Sequence, residues 1–248
     1  MRISVITVCY NCAETVGAAV RSVAQQTWPD IEHIIIDGAS SDNTLQVIAA
    51  NSQRIAHCVS EPDAGIYDAM NKGLRLASGD VVAFLNADDY YLDAQVIESA
   101  MRAIQAEGLD GLYGDVEYFK PQRPDKVFRR YDSSHFATAG IARGWQPAHP
   151  ALFVKRALFE RFGPFKTDYR IAGDFEWIAR VFKNSGLRHR HMPQVLARMR
   201  TGGASTSGIA ASWLLNREML RACRENHIST SWWQLLLRYP KKAREFSW

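Results

Sequence analysis

Between residues 3 and 106 the sequence repeatedly alternates a short β-branched run, ending in a polar cluster, with a longer segment of helical spacing. Ile3–Val8 is nearly continuous Ile, Val and Thr, as in a buried strand, and Tyr10 and Asn11 mark its end. Glu14–Gln26 then sets Val16, Ala19, Val20 and Val23 on one helical face, and Trp28-Pro29-Asp30 stops it. The pattern returns as strand Ile31–Ile36, ending at Asp37-Gly38, and a helix from Thr44 to about Asn51. A third strand is expected at Ile55–Val59, followed by a helix over Asp68–Ala77 that Ser78-Gly79-Asp80 punctuates. Strand Val81–Leu85 ends at Asn86-Ala87-Asp88-Asp89, and Ala94–Ala106 is the next helix. Strands joined through helices pair in parallel, so the pattern predicts an α/β fold with a doubly wound, mostly parallel sheet.

The alternation weakens after residue 106. Leu112–Phe119 and Lys126–Arg130 read as strands around a Pro121–Pro124 turn, and Ala157–Phe162, Phe175–Ser185 and Ala210–Glu225 as helices. The 248 residues suit one large domain, and 47% hydrophobic against 23% charged residues is enough to bury a core. Thirty basic residues against 26 acidic ones give a net charge of +4, which is no nucleic-acid footprint. Four scattered cysteines, Cys9, Cys12, Cys58 and Cys223, build no disulfide scaffold and point to a reducing cytoplasm. Residues 1–11 lack the features of a signal peptide, and no run approaches the roughly 20 apolar residues of a membrane span.

Ligands of open α/β sheets bind beyond the carboxyl ends of the strands. Those ends carry Thr7, Tyr10 and Asn11, then Asp37, then Glu61, Asp63 and Gly65, then Asn86, Asp88 and Asp89. Burying such groups for packing alone is costly. Asp88-Asp89 is the sharpest pair, because adjacent carboxylates repel unless a cation relieves them. A hard cation such as Mn²⁺ or Mg²⁺ takes oxygen ligands and shares carboxylates with a substrate diphosphate. The plainer alternative is a turn in which Asp88 caps the next helix.

Four stretches carry a resemblance: Ser4-Val-Ile-Thr-Val-Cys-Tyr-Asn11, Ile36-Asp-Gly-Ala-Ser-Ser-Asp-Asn-Thr44, Ser60-Glu-Pro-Asp-Ala-Gly-Ile-Tyr-Asp-Ala-Met-Asn-Lys-Gly73 and Phe84-Leu-Asn-Ala-Asp-Asp89. In this order they resemble the family-2 inverting glycosyltransferases of GT-A fold, and among them the bacterial members that assemble surface polysaccharides. The resemblance implies a nucleotide-sugar donor, with UDP the favoured carrier, and a saccharide or lipid-linked acceptor. It puts Thr7, Tyr10 and Asp37 around the nucleobase, Asn11 among the nucleotide-binding residues, Asp88 at the ribose or the metal, and Asp89 on the metal. It also places Asp63 and Lys72 near the donor. A plain helix surface reads as well for Lys72, since Asp68 and Lys72 are spaced for an i, i+4 ion pair. Residues 1–106 then form a nucleotide-binding half, 107–208 an acceptor half, and 209–248 a helical extension.

The same resemblance assigns the catalytic base to Asp174 in Ala172-Gly173-Asp174-Phe175-Glu176-Trp177, with Glu176 in reserve. Asp174 would also serve as a helix N-cap. His149, in Gln146-Pro-Ala-His-Pro, is set at the acceptor or diphosphate, or is a structural histidine. Asp115, in Tyr113-Gly114-Asp115, is set at the sugar pocket, and Gly202-Gly203-Ala204-Ser205 in a loop over the phosphates. His189 and His191 would share a strand face, as metal ligands or as a solvated basic edge. The tail from Ser229 mixes Trp232, Trp233, Leu235–Leu237, Tyr239 and Trp248 with Arg238, Lys241, Lys242 and Arg244. That blend suits the inner face of an anionic membrane, or a helix packed on the domain or on a second copy. Cys9-Tyr-Asn-Cys12 between strand and helix raises a competing disulfide-oxidoreductase reading. A non-catalytic nucleotide-sugar-binding protein is the other alternative.

Overall fold

A computed structural model describes every residue except 137, 184–185, 203–207, 243–244 and 246–248. The first half runs β1 (Ile3–Cys9), α1 (Val16–Ala24), β2 (Ile31–Asp37), α2 (Thr44–Ala50), β3 (Ile55–Ser60), α3 (Ile66–Leu76), β4 (Val81–Phe84), β5 (Asp89–Tyr91) and α4 (Val96–Glu107). The second half runs β6 (Gly111–Lys120), β7 (Arg123–Tyr131), α5 (Thr138–Ile141), β8 (Leu152–Lys155), α6 (Ala157–Phe162), α7 (Gly173–Phe182), β9 (His189–Arg200), α8 (Ile209–Glu225), α9 (Trp232–Leu236) and α10 (Arg238–Lys242).

One sheet joins both halves in the order β3-β2-β1-β4-β8-β6-β9-β5, with β7 paired to β6. β1 to β4 are mutually parallel, as the alternating sequence requires. β8 then enters antiparallel between β4 and β6, and β9 returns parallel to β6. Two strands have no counterpart in the sequence reading. β8 is only four residues long, and β5 pairs antiparallel with β9 through Asp89 and Met199.

All seven residues of β1 are buried, so both faces of the sheet are covered. Ile6, Val8 and Phe84 pack beneath α3, α6, α7 and α8, whereas Ile3, Val5 and Val81 pack beneath α1 and α4. Burying each such side chain contributes about 1.5–3 kcal/mol. Alternation along β1 puts Thr7 on the α1 side, bonded 3.0 Å from His33 Nε2 with no exposed surface. The expectation that Thr7 meets a nucleobase is therefore corrected. No helix among the described residues is long and apolar enough to cross a membrane.

Candidate active site

A cleft of about 490 Å³ opens beyond the carboxyl ends of β1 and β4. The β1–α1 loop, the Asn86–Asp89 turn, residues 144–149, the start of α7, and α8 and α10 all contribute to its walls. Tyr10, Asp88, Asp89, His149 and Asp174 line it together, although they are far apart in sequence.

The β1–α1 wall is locked to the loop after β2. The Asn11 N–H donates to Ser40 Oγ at 2.8 Å, and Asn11 Oδ1 accepts from the Ser41 N–H at 2.9 Å. Asn11 thus braces a loop and does not line the cleft. Bracing leaves Tyr10 65% exposed, a free ring at the rim. A Cβ on Gly38 would stand 2.5 Å from Asp63 Oδ2 and 3.3 Å from Tyr10 Cδ2, so glycine there lets Asp63 and Tyr10 close around one backbone position.

Asp37 departs from expectation. It has no exposed surface and accepts from the Ser40 N–H at 2.9 Å and Ser60 Oγ at 2.6 Å, besides Ser40 Oγ and the Cys9 thiol. Burial pushes its carboxyl up, but these hydrogen bonds outweigh it and hold the group below the usual range. A carboxylate so occupied has no lone pair aimed at a nucleobase, so its role here is to tie the ends of β1, β2 and β3 together. Lys72 is corrected likewise. Its ammonium donates to the Pro62 carbonyl at 2.6 Å and pairs with Glu61 at 2.9 Å, bracing the loop before α3 outside the cleft.

Asp88 and Asp89 form the acidic centre. Asp89 is 2% exposed, its Oδ2 is buried without a partner, and Asn86 Oδ1 is orphaned in the same turn. Burial pushes the Asp89 carboxyl well above its usual range, neighbouring Asp88 adds to this, and the Arg200 backbone N–H partly offsets it. Burial also raises Asp88, against the pull of Arg200. Orphaned oxygens on a carboxylate that is costly to ionise are what a divalent cation relieves, so this turn fits one. Asp115, Asp132 and His191 form a second group whose ligand atoms lie within 4.8 Å of one another. There Asp115 already accepts from the Ser133 N–H at 3.0 Å, Arg130 at 2.9 Å and His191 at 2.8 Å. Asp115 does not line the cleft, which corrects its expected place at the sugar pocket.

Asp174 lies in the first turn of α7, and Ala172 is the N-cap, so the capping reading is replaced. Its Oδ2 accepts from Gln146 Nε2 at 3.0 Å. Its Oδ1 lies 3.3 Å from the Tyr67 hydroxyl, which also donates to the Ile171 carbonyl at 2.6 Å. The loop before α7 is fixed from α8, where the buried Glu218 carboxylate accepts the backbone N–H groups of Arg170, Ile171 and Ala172 at 2.8–2.9 Å. His149 stacks on Phe84 at 5.4 Å, and burial lowers its pKa against the opposing pull of Asp174. Glu176, the reserve base, has no exposed surface and is paired with Arg180 at 2.8 Å and Lys166 at 3.1 Å. It is a structural ion pair behind the helix and not a base.

The sequence reading passed over Gln146 as a functional residue, and Arg170 and Arg200 altogether, although all three line the cleft. Arg170 and Arg200 sit in no recognisable motif, whereas Gln146 opens the Gln146-Pro-Ala-His-Pro stretch that was read for His149 alone. The Gly203-Ala204-Ser205 part of the expected phosphate loop, and Arg244 and Trp248 of the tail, lie outside the described residues. Trp233 is 79% and Leu237 62% exposed, so the tail presents apolar groups to solvent. Cys9 and Cys12 are free thiols beside the cleft.

The glycosyl transferase family 2 profile matches residues 4–163. The PGL/p-HBAD biosynthesis glycosyltransferase of Mycobacterium bovis (strain BCG / Pasteur 1173P2) is 31% identical over 224 residues, covering 86% of this chain and 82% of that protein. Among solved structures, S. aureus TarS 1–349 superposes with a TM-score of 0.70 at 17% identity, over 98% of this chain and 73% of that one. A mannosyltransferase, PcManGT from Pyrobaculum calidifontis, in complex with GDP-Man and Mn²⁺, superposes with a TM-score of 0.60 at 19% identity, over 98% of this chain and 80% of that one. These likenesses identify the fold as GT-A. By its sequence match and the relative that covers most of its length, the chain belongs to glycosyl transferase family 2.

Proposed function

We propose that this chain is an inverting, metal-dependent glycosyltransferase that moves a sugar from a nucleoside diphosphate to a hydroxyl of a saccharide or lipid-linked acceptor. One observation carries the reading: Asp174, held by a neutral amide, and Asp89, buried with an orphaned oxygen, line a single cleft. Asp174 accepts the proton of the acceptor hydroxyl. The freed oxygen attacks the anomeric carbon as the bond from that carbon to the diphosphate oxygen breaks, and the nucleoside diphosphate departs. Asp89, with Asp88 and Asn86, would hold Mn²⁺ or Mg²⁺, which supplies positive charge to the leaving diphosphate. Tyr10 offers a face on which a nucleobase stacks, beside Asp63.

A solved TarS complex with UDP-GlcNAc and the PcManGT complex with GDP-Man and Mn²⁺ support a nucleotide-sugar donor and a cation. UDP is the carrier we favour, and assembly of a cell-surface polysaccharide is the setting. Residues 1–106 serve the nucleotide, 107–208 the acceptor, and 209–248 form the helical extension. Exposed Trp233 and Leu237 support contact with the inner face of the plasma membrane, with the enzyme otherwise cytoplasmic.

Calorimetry with UDP, GDP and dTDP, each with Mn²⁺ and with EDTA, tests the reading. Cation-dependent binding of one nucleotide is expected and names the carrier. Binding of none of them would overturn the donor site.

A further inference from the structure

The mechanism leaves a buried cation unused. Arg238, on α10, is 2% exposed and is the one buried arginine or lysine among the described residues. Its Nη1 donates to the Gly144 carbonyl at 3.0 Å and lies 2.7 Å from the Met219 sulfur, and its Nη2 donates to Asn216 Oδ1 at 2.9 Å. Its Nε is buried with no partner. Every acceptor it has is neutral, and among the described residues no carboxylate forms an ion pair with it. A guanidinium taken out of water without a counter-charge is strongly disfavoured. Yet the surroundings are shaped for it. Gly144 has φ +73°, and a Cβ there would collide with the guanidinium. Asn216 is held in turn by the Tyr239 hydroxyl, 2.7 Å away.

Arg238, Met219 and Gly144 line the same cleft as Asp174, and so does the exposed Arg170. The segments that hold Arg238 carry none of the groups assigned to the donor. We infer that the cleft wall built by α8 and α10 is an anion subsite that takes a phosphate group carried by the acceptor. Arg238 is its buried cation and Arg170 its rim cation. Phosphate oxygens match the planar guanidinium fork and would replace the Met219 sulfur, a weak acceptor, with a charged one. The inference rests on the reading of this cleft as a donor–acceptor site.

The test is calorimetry on the whole chain, first loaded with UDP and Mg²⁺, then titrated with inorganic phosphate or, separately, with n-octyl phosphate. Both should bind, with Arg238→Gln weakening them roughly tenfold or more and Arg170→Gln severalfold. Tighter binding of the octyl ester would identify a lipid headgroup as the source, and equal binding would identify phosphate alone. Failure of both to bind the loaded protein, or unchanged affinity in Arg238→Gln, would overturn the subsite. Should Arg238→Gln not fold, unchanged affinity in the surface variant Arg170→Gln would do the same. If UDP itself does not bind, the donor reading fails separately, and the same variants titrated with phosphate in unloaded protein still decide the subsite.

Discussion

The side-chain amide of Gln146 donates to Oδ2 of Asp174 at 3.0 Å, while Gln146 Oε1 stays buried without a partner. One end of the amide orients the carboxylate, and the other is left to accept a hydrogen bond. An acceptor with two neighbouring hydroxyls offers one donor to each.

Asp174→Asn should therefore lower turnover by about 10²–10⁴-fold, the usual range for a general base, with donor affinity unchanged. Gln146→Ala should lower turnover less and raise the acceptor KM. Steady-state kinetics with calorimetry of the donor separates the two. Equal loss of donor binding and turnover in Asp174→Asn would remove its role as the base.

The orphaned Oδ2 of Asp89 predicts that Asp89→Asn binds nucleotide with the same affinity with and without the divalent cation, at the level of the EDTA-treated wild type. Titration of nucleotide across a cation series checks this. A variant that kept the wild-type cation dependence would shift the ligand assignment elsewhere, to Asp115, Asp132 and His191 first.

Tyr10, exposed at the rim, should contribute through its ring face. Replacing it with alanine should weaken nucleotide binding by about 1–3 kcal/mol, the scale of a base on an aromatic ring. Phenylalanine should restore it. If phenylalanine behaves like alanine, the hydroxyl and not the ring is in use.

His33 gives a stability prediction. Burial lowers its pKa from 6.5 to about 4, so the unfolded chain takes up its proton first as the medium is acidified. Its contribution is present in full above the unfolded pKa and is lost as pH falls from about 6.5 through about 4, amounting to about 3 kcal/mol. Denaturant midpoints of wild type and His33→Gln, measured across that range, should converge at the acid end. Parallel curves would assign the acid sensitivity to other groups.

Much of this was legible in the sequence because the parallel strands are buried on both faces and so read as unbroken β-branched runs. The polar clusters that end them marked Tyr10, Asp88 and Asp89 as cleft residues. β8 escaped because four residues give no periodicity, and β5 because it begins on Asp89 itself, which reads as part of a turn. Asp37 was found at the right strand end, but its saturation depends on how Ser40 and Ser60 fold back on it. Gln146, Arg200 and Arg238 are single residues brought in by tertiary packing. Arg238 meets Gly144 across 94 positions, a relation that no local pattern encodes.

The grip of Glu218 on the three backbone amides just before α7 has a consequence for the order in which a nascent chain becomes competent. β5, on which Asp89 sits, takes its place against β9, so the acidic turn waits for residues 189–200 to emerge. The carboxylate of Asp174 cannot be set until α8 has followed it out of the ribosome and folded back. Both acidic groups of the cleft thus reach their positions only after most of the chain has been made.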